Sequence, residues 1–219
     1  MSFQAVLFDI DGTLVNNVSL CIEAYRETFQ RYTGQCFETE AITRHFGKTE
    51  DGILAVYIPA EQLPAAIETY FQVYADLHQA VQAPFVSMRE TLIYLHNKLP
   101  LGVVTGKSLR LAEVSLHALD LRSYFQVVEG GFPDRADKAE SLRRAAQRLG
   151  LPPGVILNVG DTDYDIASAA AAGMPVVGAA WSETTTIRPE NAQPALHVFN
   201  QVDTFAAWLS AALAAPETL

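Results

Sequence analysis

Short apolar runs alternate with helical patterns along most of the chain. Four runs rich in Val, Ile, Leu and Phe are short enough to be buried strands, at residues 4–8, 101–104, 155–159 and 175–178. A helical pattern follows most of them; for example, apolar residues recur at the spacing of one helix face from Leu142 to Leu149 and stop at Gly150. Such alternation predicts the α/β class, with a doubly wound parallel sheet and helices on both faces.

Residues 16–83 interrupt this alternation, because they hold only helical patterns between the first predicted strand and the second. The candidate helices lie at residues 23–32, 39–46, 51–57 and 61–79. Ligands bind at the carboxyl ends of the strands in open α/β sheets, and this long segment begins at such an end. We therefore predict a helical cap domain over residues 16–83, inserted into an α/β core domain formed by residues 1–15 and 84–219.

The composition excludes several classes of function. The 219 residues are 49% hydrophobic and include 15 Lys and Arg against 25 Asp and Glu, a formal net charge of -10. This excess of acids argues against nucleic-acid and anionic-membrane partners, which bind through Lys and Arg. The two cysteines lack a metal-type spacing, and the N-terminus has no secretory pattern. No apolar run approaches the ~18 residues of a membrane-spanning helix, so we expect a soluble, cytoplasmic protein.

Two acidic clusters follow predicted strands. Asp9 and Asp11 come directly after the first strand, and Asp161 and Asp165 come after the third. Each cluster taken alone is also typical of helix capping. If the two strands are neighbours, however, carboxylates about 4 Å apart repel by about 4 kcal/mol at an effective dielectric constant of about 20. A hard cation removes this conflict, and because Mg²⁺ prefers carboxylate and carbonyl oxygens, the two clusters together predict a Mg²⁺ site.

Two other segments offer groups that could hold a phosphate. Thr105 ends the second predicted strand, and Gly106 lets a ligand approach the backbone before the next helix begins. Lys138 begins a helix, where a positive charge opposes the helix dipole at a cost of about 0.3–1 kcal/mol. The structural alternatives are a helix cap for Thr105 and a solvated side chain for Lys138.

In chain order, these segments resemble the four motifs of the haloacid dehalogenase superfamily. The motifs are Asp-x-Asp-Gly-Thr-Leu after the first strand, Thr105 at the end of the second, Lys138 at a helix start, and Gly-Asp-x-x-x-Asp from Gly160 to Asp165. The chain looks most like the phosphoglycolate phosphatase-like branch, in which a helical cap follows the first motif. The resemblance spans nearly the whole chain and implies a Rossmann-like core.

The resemblance also implies a role for each motif residue. Asp9 would be the nucleophile that forms an aspartyl-phosphate, and Asp11 would be the general acid and then the general base. Mg²⁺ would be bound by the Asp9 carboxylate, the Asp11 backbone carbonyl and Asp161, while Asp165 would orient Lys138 or a metal-bound water. The groups that would hold the phosphate are Gly12, the Thr13 amide, Thr105, Gly106 and Lys138.

Two features of the motifs bear on the reaction. Family members that cleave carbon–halogen or carbon–phosphorus bonds lack an acid at the Asp11 position, so Asp11 favours phosphate-ester chemistry. Lys138 is followed by alanine where many relatives have proline. This departure leaves Arg135 as a second candidate for the cation of the third motif.

We therefore expect a Mg²⁺-dependent phosphatase of small phosphorylated metabolites such as phosphoglycolate or sugar phosphates. Substrate choice would come from a polar loop of the cap that holds Arg44, His45 and Lys48, for which solvent exposure is the alternative. A phosphomutase of the β-phosphoglucomutase type and an inorganic pyrophosphatase share the motifs, and a non-catalytic metal- or partner-binding module is a further alternative. We expect no nucleic-acid or membrane partner, and the sequence is compatible with a monomer or a homodimer.

Overall fold

A six-stranded parallel sheet forms the centre of the protein, whose computed structural model describes residues 3–78, 83–188 and 190–214. The strands are β1 (Ala5–Phe8), β2 (Leu101–Val104), β3 (Val127–Glu129), β4 (Ile156–Gly160), β5 (Val176–Ala179) and β6 (Val198–Phe199). Their order in the sheet is β3-β2-β1-β4-β5-β6, and every neighbouring pair is parallel. The predicted α/β class with a doubly wound parallel sheet is therefore confirmed.

The four predicted strands are all present, with bounds shifted by at most one residue. β3 and β6 are additional. β3 has only three residues, one of them the charged Glu129, and β6 has two partly exposed residues. Neither strand is long enough to produce a distinct hydrophobic run, which explains why the pattern did not predict them.

Nine α-helices surround or adjoin the sheet in the described part of the chain. They are α1 (Val18–Thr33), α2 (Thr39–Thr43), α3 (Glu50–Leu54), α4 (Leu63–His78), α5 (Met88–His96), α6 (Leu109–Ala118), α7 (Lys138–Leu149), α8 (Asp163–Ala172) and α9 (Val202–Ala214). The four predicted cap helices correspond to α1 to α4, although α2 and α3 are shorter than predicted. The last residue of the fourth predicted helix, Gln79, lies outside the described residues.

Helices cover both faces of the sheet. Along β1, Val6 and Phe8 pack into the hydrophobic cluster that includes α5 and α9, whereas Ala5 and Leu7 pack into the cluster that includes α7 and α8. Alternate side chains of the central strand are thus buried on opposite faces, as expected for a parallel sheet. Among the residues described, no helix combines the length and the apolar character needed to cross a membrane.

Helices α1 to α4 gather around another hydrophobic cluster, which contains Tyr25, Tyr70 and Tyr74. This helical segment docks on the loop that follows β3. The Thr49 amide donates to the carbonyl of Phe132 at 3.1 Å, and a Cβ at Gly52 would collide with the carbonyl oxygen of Pro133. The segment therefore reaches the edge of the sheet where the strands end. Its delimitation as a cap domain over residues 16–83 stays a prediction.

Candidate active site

Three carboxylates meet where β1 and β4 end. These two strands are paired with Phe8 opposite Val159, so the residues that follow them leave the sheet at the same edge. Asp9, Asp161 and Asp165 each place one carboxylate oxygen within 4.8 Å of the others. The fold therefore brings Asp9 together with two acids more than 150 positions further along the chain, as the strand-end pattern predicted, whereas the side chain of Asp11 is not part of this group and pairs with Lys107.

The turn after β1 allows Asp161 to approach. Gly12 has a φ of 77°, in the left-handed region that favours glycine, and a Cβ there would collide with the Asp161 carboxylate. The Thr13 hydroxyl donates to Asp161 Oδ1 at 3.2 Å. The Gly12 amide donates to the Val15 carbonyl at 2.9 Å, and the Thr13 amide donates to the Ile10 carbonyl at 3.3 Å. Both amides therefore bond within the turn, and the phosphate-holding role that the resemblance implies for Gly12 and Thr13 stays a prediction.

Asp165 forms both a helix cap and an ion pair. Its Oδ2 accepts from the amide of Thr162 at 3.0 Å, and the Thr162 hydroxyl accepts from the Asp165 amide at 3.1 Å, which forms a capping box at the start of α8. A side chain at Gly160 would collide with the Asp165 carboxylate. Asp165 Oδ1 contacts the ammonium of Lys138. The helix-capping alternative therefore holds for Asp165, which also links α8 to α7.

Lys138, the first residue of α7, is buried against the acidic cluster. Its Nζ lies 3.0 Å from Asp9 Oδ1 and also contacts Asp165. Burial disfavours the charged form, but Asp165 and Asp9 outweigh burial and raise the pKa of Lys138 above its usual value. Arg135, the second candidate cation, is exposed and pairs with acids of its own loop. The geometry favours Lys138, and a solvated side chain is the wrong alternative for it.

The acidic cluster carries more negative charge than Lys138 can offset. Burial raises the pKa of Asp9 to about 6, Lys138 opposes the shift, and the charges of Asp165 and Asp11 add to it. Burial, followed by the charges of Asp165 and Asp9, also raises the pKa of Asp161. Among the described residues, the buried Asp9 Oδ1 has no hydrogen-bond partner, although Lys138 lies at ion-pair distance. The carboxylate oxygens fit a hard divalent cation, which would offset the negative charge that Lys138 leaves uncompensated.

Thr105 lies at the end of β2 and is not the cap of the following helix. Ser108 caps α6, because its hydroxyl accepts from the amide of Leu111 at 3.3 Å. The Thr105 amide donates to the Glu129 carbonyl at 3.1 Å, which ties the end of β2 to the end of β3. The helix-cap alternative is therefore wrong for Thr105, and its buried side chain is left at the edge where the acids gather.

A cavity of about 740 Å³ opens at this edge of the sheet. The candidate residues that line it from the sheet side are Asp9, Asp11, Thr105, Gly106, Lys138, Asp161 and Asp165. Arg44 and Lys48, from the helical segment, line it as well. The ring of His45 instead lies 3.1 Å from the Tyr57 hydroxyl, to which Arg44 also donates at 3.1 Å. Arg44 and Lys48 thus line the cavity and His45 does not, while Arg44 and His45 both contact Tyr57.

Three further residues of the cavity are not predicted from the sequence. Lys107 Nζ lies 2.6 Å from Asp11 Oδ2 and 3.1 Å from the thiol sulfur of Cys21. The buried carboxylate of Glu50, from α3, accepts from the amide of Ser108 at 3.0 Å. Only the position of Lys107, two residues after Thr105, could have indicated it from the sequence. Cys21 and Glu50 lie just before the helices predicted at residues 23–32 and 51–57, and their local sequence shows no such signal.

Two aromatic residues support the motif loops. The Tyr164 hydroxyl accepts from the backbone amide of Lys138 at 2.9 Å, which holds the start of α7. The Trp181 indole donates to the carbonyl of Thr13 at 3.0 Å, which holds the turn after β1. Both side chains therefore stabilise the backbone that carries the candidate catalytic residues.

Comparisons with known proteins show what the chain is similar to in sequence and in fold. The family model described as haloacid dehalogenase-like hydrolase matches residues 6–179. Pyrophosphatase PpaX of Anoxybacillus flavithermus is 29% identical over 185 residues, which cover 83% of this chain and 86% of that protein. IndB of Dickeya dadantii, named a probable phosphatase, is 32% identical over 216 residues, which cover 94% of this chain and 92% of that protein. Among solved structures, CbbY from Rhodobacter sphaeroides in complex with phosphate has a TM-score of 0.77 at 20% identity, covering 91% of this chain and 94% of that chain.

Proposed function

Because the chain belongs to the haloacid dehalogenase-like hydrolase family, we propose that it is a Mg²⁺-dependent phosphatase that acts on small phosphorylated metabolites through an aspartyl-phosphate on Asp9. The relatives named pyrophosphatase and probable phosphatase support a phosphatase activity for this chain. One observation supports the Mg²⁺ dependence and the aspartyl-phosphate. The carboxylates of Asp9, Asp161 and Asp165 and the ammonium of Lys138 lie together in one cavity.

Asp9 and Asp11 perform the two chemical steps in this proposal. A carboxylate oxygen of Asp9 attacks phosphorus, and the bond between phosphorus and the leaving oxygen breaks. Asp11 gives its proton to that oxygen, which departs as a neutral alcohol. Asp11 then takes a proton from water while the water oxygen attacks the phosphorus of the aspartyl-phosphate. Phosphate is released, and the Asp9 carboxylate is restored.

Lys138 and Thr105 hold the transferring group in this proposal. The Lys138 ammonium lies beside the attacking carboxylate and would offset charge on the phosphoryl oxygens, while Thr105 approaches them from the end of β2. Asp165 positions Lys138 through their ion pair. The Asp9 carboxylate, the Asp11 carbonyl and Asp161 would hold Mg²⁺, which when bound offsets the negative charge of the phosphate and the carboxylates.

The cavity supports a small anionic substrate. Its volume of about 740 Å³ lies within the usual range of small-molecule sites, about 300–1,000 Å³. Arg44 and Lys48, from the predicted cap, also line the cavity, and there they would contact a carboxylate or hydroxyl of the leaving group. CbbY, similar in fold, is known in complex with phosphate and, as a mutant, with xylulose-(1,5)bisphosphate. We infer phosphoglycolate and sugar phosphates as the first substrates to test.

Inorganic pyrophosphate is the second candidate substrate. The chain is 29% identical to a pyrophosphatase over most of both lengths. In that case the leaving group is itself a phosphate, and the positive charges of Arg44 and Lys48 would suit it equally well. A phosphomutase reaction on a sugar phosphate would use the same Asp9 and Asp11 chemistry, with the sugar hydroxyl in place of water.

A phosphate-release screen tests the proposal. Wild type and Asp9→Asn are incubated with 2-phosphoglycolate, sugar phosphates and pyrophosphate, with Mg²⁺ or with EDTA, and Asp76→Asn on the exposed face of α4 is the control. We expect release by wild type and the control only with Mg²⁺, and none above background by a folded Asp9→Asn. Release in EDTA, or full activity of Asp9→Asn, would contradict the proposal. A phosphoryl group retained on an isomeric sugar would identify a mutase instead.

A further inference from the structure

A buried ion pair joins Asp11 to a lysine outside the four motifs. Lys107 Nζ lies 2.6 Å from Asp11 Oδ2, and only 6% of the lysine side chain is exposed. Lys107 belongs to the loop between β2 and α6, two positions after Thr105. Because a buried ammonium is costly unless a charged or polar partner satisfies it, this contact is a defined feature of the cavity wall rather than a surface ion pair.

Groups from two cap helices and one core loop hold the lysine in place. The sulfur of Cys21, on α1, lies 3.1 Å from Nζ, and the ring centre of Tyr74, on α4, lies 4.9 Å from it. The Tyr74 hydroxyl in turn accepts from the side-chain amide of Asn17 at 3.0 Å. The carbonyl of Lys107 accepts from the amide of Gly131 at 2.8 Å. The ammonium thus has a defined position against Asp11.

We propose that Lys107 is a positioning residue that holds the Asp11 side chain in the orientation required for proton transfer to the leaving oxygen. This inference rests on the proposed function of Asp11. Proton transfer requires heavy atoms within about 2.6–3.2 Å of each other, whereas an unrestrained aspartate occupies several rotamers. By engaging Oδ2, Lys107 leaves Oδ1 as the oxygen that exchanges the proton. The sulfur of Cys21 lies 3.9 Å from Oδ1, a longer contact than the 2.6 Å between Lys107 Nζ and Oδ2.

Two leaving groups of different stability test this role. Protonation by Asp11 is needed for an alkyl phosphate, whose alkoxide is a poor leaving group, and matters little for 4-nitrophenyl phosphate, whose phenolate is stable. We compare kcat/KM, because it includes the steps up to leaving-group departure and no later ones. In Lys107→Met, which keeps an unbranched apolar stem without the charge, kcat/KM for glycerol 2-phosphate should fall by about 10²-fold, and kcat/KM for 4-nitrophenyl phosphate by less than about fivefold. Lys107→Arg should restore part of the alkyl-phosphate activity.

A double-mutant cycle separates positioning from a general structural role. In an Asp11→Asn background, Lys107→Met should lower kcat/KM for glycerol 2-phosphate by less than about twofold more, because the group that Lys107 positions is already lost. Lys98→Met, at an exposed lysine outside the cavity, is the matched control and should leave both substrates unaffected. If melting shows that Lys107→Met does not fold, Lys107→Gln takes its place in both comparisons.

Equal losses on the two substrates, or no loss on either, would overturn the inference. So would full additivity of the Lys107 and Asp11 changes. A wild-type protein that hydrolyses neither ester would overturn the proposed function and this inference with it. A wild type that hydrolyses both esters, with a Lys107 variant that loses both equally, would overturn the inference alone.

Discussion

Removing one carboxylate from the acidic cluster should make the metal-free protein more stable. In Asp161→Asn, the amide keeps the shape of the carboxylate and can still accept from Thr13, but one of three negative charges is lost. Oxygens within 4.8 Å repel by about 3.5 kcal/mol per pair at an effective dielectric constant of about 20. Asp161 belongs to two such pairs, with Asp9 and Asp165. The charge of Lys138 and partial protonation of the carboxylates reduce this sum, so we expect a net gain of about 2–4 kcal/mol.

The assay is thermal unfolding in EDTA and in excess Mg²⁺. For a protein of this size, each kcal/mol shifts the melting temperature by about 2–4 °C, so Asp161→Asn should melt at least about 4 °C above wild type in EDTA. Wild type should gain stability from Mg²⁺, and Asp161→Asn should gain much less. Asp163→Asn, an exposed neighbour outside the cluster, is the matched control and should not raise the melting temperature. An Asp161→Asn variant that melts below wild type in EDTA would refute the argument from charge repulsion.

Two further predictions concern the charges around Asp9. Lys138→Ala should lower kcat for an aryl phosphate by about 10²–10³-fold while Arg135→Ala lowers it less than about twofold, and a reversed order in steady-state assays would reassign the cation. The raised pKa of Asp9, about 6 against the ordinary 3.8, means that the folded metal-free protein holds the Asp9 proton more tightly than the unfolded chain. Ionisation of Asp9 therefore lowers the free energy of unfolding as the pH rises from about 4 to about 6. The melting-temperature advantage of Asp9→Asn over wild type in EDTA should grow across that window and then level off, and a constant difference would contradict the shift.

The sheet was predictable because its central strands are fully buried. β1, β2, β4 and β5 are buried along their whole length and are apolar except for Asn158 of β4, and the acids at the ends of β1 and β4 converge because the two strands are neighbours. No local sequence pattern shows which strands are neighbours in the sheet. The predicted Mg²⁺ site required the first and third predicted strands to be neighbours, and the order of the sheet, in which β1 pairs with β4, confirms this.

The details of the site depend on contacts between distant segments, which spacing does not encode. Lys107 reaches Asp11 only because the loop after β2 lies beside the turn after β1. The Gly12 amide bonds to Val15, a pairing that the motif alone does not show. On the cap loop, Arg44 lines the cavity and His45 does not, although the two are adjacent in sequence and both contact the Tyr57 hydroxyl. The roles assigned to the motif residues stay predictions.

The central claim is that Asp9 accepts the phosphoryl group, and direct detection of the acyl phosphate tests it most closely. Asp11→Asn, which lacks the base for the second step, is mixed with 4-nitrophenyl phosphate and Mg²⁺, quenched in acid, digested and analysed by mass spectrometry. We predict one added phosphoryl group on the peptide that contains Asp9, and none when EDTA replaces Mg²⁺ or when Asp9→Asn is combined with Asp11→Asn. A phosphoryl group on any other residue, or persistence of the label in the double variant, would contradict the account.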